Sequence, residues 1–161
     1  MIDRPDVRLD DLYREVVMDH HRHPRGRAPL AKVDARAHGF NPVCGDEVLL
    51  NLALDGERIT GVEIAGHGCA ICTASGSIMA EIVPGRQIGL AEETAEAFRA
   101  VMHGHAAPQG IDMGDLEALE GVQRFPVRVK CAMLPWVTLL DALKSWRAGR
   151  PTAESTTEMS E

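Results

Sequence analysis

Four cysteines and one aspartate are the residues of this 161-residue chain best suited to chemistry, and they fall in three segments: Cys44-Gly45-Asp46, Cys69-Ala70-Ile71-Cys72 and Cys131. Three or four soft thiolates and one hard carboxylate so far apart can converge only through tertiary structure. Convergence would make a metal site, because zinc takes four ligands tetrahedrally and three cysteines with an aspartate supply them. Iron–sulfur clusters also favour thiolates, and a carboxylate holds a cluster less firmly. An aspartate in a mostly thiolate site suggests exchange rather than permanence. A closed structural zinc site is the plainer reading. Against it, structural zinc knuckles usually repeat the C-x-x-C pair, and here only Cys69 and Cys72 have that spacing.

Cys72 is either a fourth thiolate or a small buried hydrophobe. His67, two residues before Cys69, is placed to bond a sulfur or to cover a metal. Arg128 and Lys130 flank Cys131, where a cation would stabilise a thiolate or a transferred sulfur anion; surface charge is the plain alternative. His20, His21 and His23 cluster at a helix end and read as solvated, as do His103 and His105.

The elements that must position these residues show in the hydrophobic pattern. Residues 10–22 suggest a helix capped by Asp10 or Asp11, with Leu12, Val16 and Val17 on one side. Residues 47–54 alternate, placing Val48, Leu50, Leu52 and Leu54 on one strand face. Asp55-Gly56 is a hairpin turn, and the return strand over 57–65 carries Val62 and Ile64 inward. A short strand near 33–40 is a weaker expectation. Helices are expected over 70–83, 91–103 and 132–147, with a short one near 112–120. Pro135 fits the first turn of the last helix, where a missing N–H costs little. That layout puts Cys69 and Cys131 at helix N-termini, which acidify thiols. The expected fold is α+β: a small antiparallel sheet of about three strands with helices packed on one face. Residues 1–148 form one domain, and the acidic stretch 149–161 reads as disordered.

A chain of this length can bury a core without metal or disulfide staples. The charged N-terminus shows no signal peptide, and no apolar run spans a bilayer. The expected location is therefore cytoplasmic, where cysteine clusters bind metal or catalyse. A net charge of −7 argues against nucleic acid as a partner. The run Arg22, Arg25, Arg27, Lys32 and Arg36 is the local exception, a solvated surface or a docking patch.

Three motifs carry a resemblance: Asn41-Pro42-Val43-Cys44-Gly45-Asp46, Gly66-His67-Gly68-Cys69-Ala70-Ile71 and Arg128-Val129-Lys130-Cys131. In this order they resemble the IscU/NifU-N superfamily of iron–sulfur cluster assembly proteins. Residues 12–26, LYREVVMDHHRHPRG, and 110–132, GIDMGDLEALEGVQRFPVRVKCA, are similar to the SufU branch, and the likeness covers about 9–147. IscU-type scaffolds have histidine where this chain has Lys130, and residues 104–122 match a SufU insertion. The resemblance implies zinc on Cys44, Asp46, Cys69 and Cys131, with Cys44 as the sulfur acceptor. It implies a SufS-type pyridoxal-phosphate cysteine desulfurase as partner, with Arg128 at the docking surface. In that branch a desulfurase histidine replaces the acceptor cysteine on the zinc and frees it. Such a chain is a sulfur acceptor and desulfurase activator rather than an independent enzyme, feeding downstream iron–sulfur assembly components. Cys72 departs from the serine or small residue expected there. If it joins the ligands, an IscU-type scaffold carrying a transient [2Fe–2S] cluster is the alternative. A structural zinc module that only docks partners is a third reading.

Overall fold

The structure, a computed structural model, describes the backbone of residues 4–150 and 152–156 and the side chains of 11–150 and 152–154. Helix α1 (Arg4–Arg22) leads into three antiparallel strands: β1 (Ala35–Asn41), β2 (Asp46–Asp55) and β3 (Arg58–His67). Helices α2 (Ala70–Ile82) and α3 (Ile88–Met102) follow, then a 3-10 stretch (Gly114–Arg124), helix α4 (Pro126–Arg147) and strand β4 (Thr152–Thr156).

Period-two patterning explains the sheet. Val48, Leu50, Leu52 and Leu54 of β2 are buried, as are Val62 and Ile64 of β3. Their common face packs under α4 and α2, and Trp136 of α4 lies against Phe98 of α3 with ring centroids 6.1 Å apart. The opposite face leaves Leu49 exposed, as one-sided antiparallel sheets do. Among the described residues, no helix is long and apolar enough to cross a membrane.

Five expectations are corrected. The sheet has four strands in the order β3-β2-β1-β4, and β4 runs parallel to β1. Residues 152–156, expected to be disordered, therefore pair with the edge of β1, while 157–161 lie outside the described residues. His38 of β1 fastens this edge, bonded to Glu154 of β4 at 3.1 Å and to Glu47 of β2 at 2.6 Å. These carboxylates, Glu154 foremost, raise the His38 pKa above its ordinary value. Helix α1 starts well before Asp10 and Asp11, so they do not cap it, and Leu12 faces outward.

The last helix also starts earlier, with Pro126 in its first turn and Pro135 inside it. An internal proline removes one backbone donor, and nearby Ser75 of α2 donates to the Ala132 carbonyl at 2.6 Å. The fifth correction concerns His20, which is fully buried rather than solvated. The hydroxyl of Ser77 accepts from the Arg25 N–H at 2.8 Å, so its own proton is directed to His20 Nδ1 at 2.6 Å. His20 Nε2–H then donates to Asp115 at 2.9 Å, tying α1 to α2 and to the 3-10 stretch.

Gly39 is where β1 and α4 come closest: a Cβ there would strike the Thr138 hydroxyl and crowd Leu134. Gly39→Ala is expected to destabilise the fold by about 1–3 kcal/mol, the usual cost of overpacking. Thermal or urea unfolding measures it, and an unchanged midpoint would mean that the helix yields freely.

Candidate metal centre

Three junctions present the site. Asn41 and Asp46 face each other as the last pair of β1 and β2, and Pro42-Val43-Cys44-Gly45 turns between them. Gly45 takes φ 75°, a left-handed conformation that glycine adopts without steric cost, and its N–H donates to the Asn41 carbonyl at 2.8 Å. Asn41 is itself buried and takes the Val43 N–H on its side-chain oxygen at 3.1 Å. The turn therefore holds Cys44 outward at its tip and Asp46 inward at its foot; Asp46 is only 2% exposed.

Gly68 follows β3, and a Cβ there would sit 2.9 Å from Asp46 Oδ1. With none present, Asp46 reaches the Cys69 N–H at 3.0 Å. Cys69 caps α2, and its sulfur accepts the Cys72 N–H at 3.5 Å. Cys131 comes from the second turn of α4 and is buried.

The ligand atoms of Cys44, Asp46 and Cys131 all lie within 4.8 Å of one another. Cys69 Sγ is 3.9 Å from Asp46 Oδ2, and Cys131 Sγ is 3.5 Å from Cys44 Sγ. The Cys44 and Cys69 thiols and the Asp46 carboxylate line one open cleft, with Arg128 and Val127 on its rim, and Cys131 is buried against Cys44. Arg128 also bonds the Cys69 sulfur, which raises the pKa of the guanidinium.

Crowding separates the thiols. The hydrogen bond from Cys131 lowers Cys69 to about 6, against the opposing effect of burial, and the Cys72 N–H adds to it. The same hydrogen bond, with burial, drives Cys131 well above an ordinary thiol. Cys69 is therefore acidic as expected, chiefly through Cys131 with the helix-terminal N–H groups of Cys72 and Ile71 adding, whereas Cys131 is not, because Cys69 and burial hold its proton. In metal-free protein, alkylation of Cys69 is expected to persist down to about pH 6, tracking its thiolate fraction. The sign follows: a depressed folded-state pKa stabilises the fold above the ordinary thiol value, and that stability is lost as pH falls through about 6. Mass analysis of the tryptic fragment 59–86 against pH checks this, and a midpoint near 9, the ordinary value, would refute it.

The other candidates stand apart. Cys72 is 4% exposed, packs in the core, and burial raises its pKa. His67 lines the cleft but pairs with Glu47 at 3.2 Å rather than with sulfur. Lys130 is half-buried on α4 beside Cys131. Two residues escaped the sequence reading. Asn41 shapes the turn and points its amide at Cys131 Sγ, 3.9 Å away. Tyr13 of α1 is half-buried and feels both Arg128 and Cys69; burial raises its pKa. Their only signals were a polar residue just before the Cys44 turn and an aromatic within a helical stripe.

Comparison with known proteins decides the family. A model of the NifU-like N-terminal domain matches residues 12–132. The chain belongs to this family. It is 41% identical over 134 residues to the zinc-dependent sulfurtransferase SufU of Bacillus subtilis, covering 81% of this chain and 88% of that one. It is 37% identical over 137 residues to the iron–sulfur cluster assembly scaffold protein IscU of Streptococcus pyogenes, covering 85% and 86%. Among solved structures it resembles a protein described as a candidate iron–sulfur cluster assembly scaffold for the SUF system of Fervidobacterium islandicum. That likeness has a TM-score of 0.76 at 34% identity, over 82% of this chain and 96% of the other. The solved structure carries the same α+β fold, so the fold class read from the sequence stands with one strand more.

Proposed function

We propose that this chain is a zinc-dependent sulfur acceptor of iron–sulfur cluster assembly, loaded at Cys44 by a SufS-type pyridoxal-phosphate cysteine desulfurase. One observation carries the reading: the donor atoms of Cys44, Asp46 and Cys131 lie within 4.8 Å of one another with Cys69 Sγ 3.9 Å from Asp46, and Cys44 is the one exposed thiol of the four cysteines. The donor set fits zinc in number and type. It is also crowded with acidic groups, with Arg128 the cation on the cleft, so a divalent cation would relieve repulsion there. When bound, zinc would keep the thiols deprotonated without oxidising a persulfide.

The protein's own residues then divide the work. The β1–β2 turn presents Cys44 to the desulfurase. Its sulfur attacks the outer sulfur of the donor persulfide, the S–S bond breaks, and the donor cysteine leaves as thiolate. Asp46 and Cys69 are held to each other by the N–H bond, so they hold the site as Cys44 is engaged. Arg128, on the rim, is placed to steady the anionic sulfur and to meet the partner.

The test is a digest after incubation with the desulfurase and cysteine. The fragment 37–58, which holds Cys44, is expected to gain one sulfur, about 32 Da, removable by dithiothreitol. Sulfur appearing only on 59–86 or 131–144 would reject Cys44 as the acceptor.

The scaffold reading draws on the likeness to the Streptococcus pyogenes protein. It needs the same thiols, and iron with acid-labile sulfide would mark it. Burial of Cys72, which holds its thiol proton, weighs against its being the fourth thiolate of such a cluster.

A further inference from the structure

We propose that Cys69 and Cys72 are a redox pair: oxidation closes a disulfide across the first turn of α2 and withdraws Cys69 from the metal site. Cys72 is buried in the core and sits three residues after the helix-capping cysteine, with its N–H on the Cys69 sulfur. As N-cap and third residue, the two cysteines share the first turn of α2, with the Cys69 sulfur already over the Cys72 N–H, so side-chain rotation and a small adjustment of that turn can close the bond. A C-x-x-C pair opening a helix is the arrangement of dithiol oxidoreductases.

The exposures of the two thiols differ in the direction such a pair needs. Cys69 lines the open cleft, where a small oxidant reaches it. Cys72 lines a small cavity behind, and the two spaces share His67 and Gly68 as their wall. The oxidised side chain therefore finds its reductant from within the protein.

The step balances with a hydroperoxide as oxidant. The Cys69 sulfur attacks one oxygen of hydrogen peroxide, the O–O bond breaks, and water leaves, giving a sulfenic acid. The Cys72 sulfur attacks that sulfur, the S–O bond breaks, and a second water carries away the thiol proton. Two electrons pass from the two thiols to the peroxide, and external thiols reverse the bond by exchange. The crosslink stands on this geometry alone; only its effect on the metal rests on the proposed ligand set.

Cys44 and Cys131 are the rival pair, with their sulfurs 3.5 Å apart. Trypsin separates the two cases, because Cys69 and Cys72 share the fragment 59–86 whereas Cys44 and Cys131 lie on different fragments. The full chain is stripped of metal, treated with hydrogen peroxide, alkylated under denaturing conditions and digested, alongside Cys44→Ser, which removes the rival. The expected result in both is an unalkylated 59–86 about 2 Da lighter than the dithiol, restored by dithiothreitol. In Cys72→Ser, Cys69 is expected to overoxidise to the sulfinic acid, about 32 Da heavier and resistant to dithiothreitol. A Cys72 fully alkylated in wild type and in Cys44→Ser, or Cys69 found joined to Cys131, overturns the pair. Zinc added beforehand is expected to slow the crosslink at least about tenfold. Crosslinking at an equal rate with zinc would keep the pair and remove Cys69 from the ligand set.

Discussion

Cys44→Ala is expected to take up less than about 1% of the sulfur that the wild-type chain accepts from its desulfurase, because it removes the attacking atom itself. The fold should survive. Cys44 stands exposed at the tip of a four-residue turn, and the turn is held by Asn41 and Gly45 rather than by the cysteine. Circular dichroism and a melting curve close to wild type would show that the loss is chemical. Substantial uptake by the variant would move the acceptor to Cys69 or Cys131. Full desulfurase activation without Cys44 would instead favour a module that only docks.

Asp46→Ala should act on the metal rather than on the nucleophile. Even supporting groups outside the ligand set typically cost 10–100-fold in metal affinity, so loss of a ligand is expected to cost at least about 100-fold. Asp46 is buried, and its Oδ1 receives the Cys69 N–H, so its removal also frees the turn that carries Cys69. Zinc should pass to a competing chelator at much lower chelator concentration, and Cys44 should alkylate and oxidise faster. Chelator competition equal to wild type would exclude Asp46 as a ligand. Asp46→Asn separates the two roles, since it keeps an oxygen for the Cys69 N–H while removing the charge.

Much of this site was legible because its signals are local. The alternation Val48, Leu50, Leu52 and Leu54 leaves one strand face to bury, and Asp55-Gly56 marks the hairpin. The Cys-Gly-Asp turn and the Gly-His-Gly break fall at strand ends, so both ligand segments could be placed as junctions. Features set by distant partners were not legible. Strand β4 is a short polar run that pairs with β1 more than a hundred positions away, and nothing within it announces a parallel partner. His20 is buried by Ser77 and Asp115, both remote in sequence. Pro126 and Pro135 both suit a helix's first turn, and the helix starts at Pro126. The raised pKa of Cys131 comes from Cys69 and burial, neither of which its own segment shows. The pairing of His67 with Glu47 follows from strand register, which sets the two residues opposite each other.

The most direct measurement is the metal and acid-labile sulfide content of the full chain purified without oxygen. About one zinc per chain without sulfide is the expected result, since three thiols and a carboxylate supply one tetrahedral site. Iron with matching sulfide would contradict it and make the chain a cluster scaffold on these same residues.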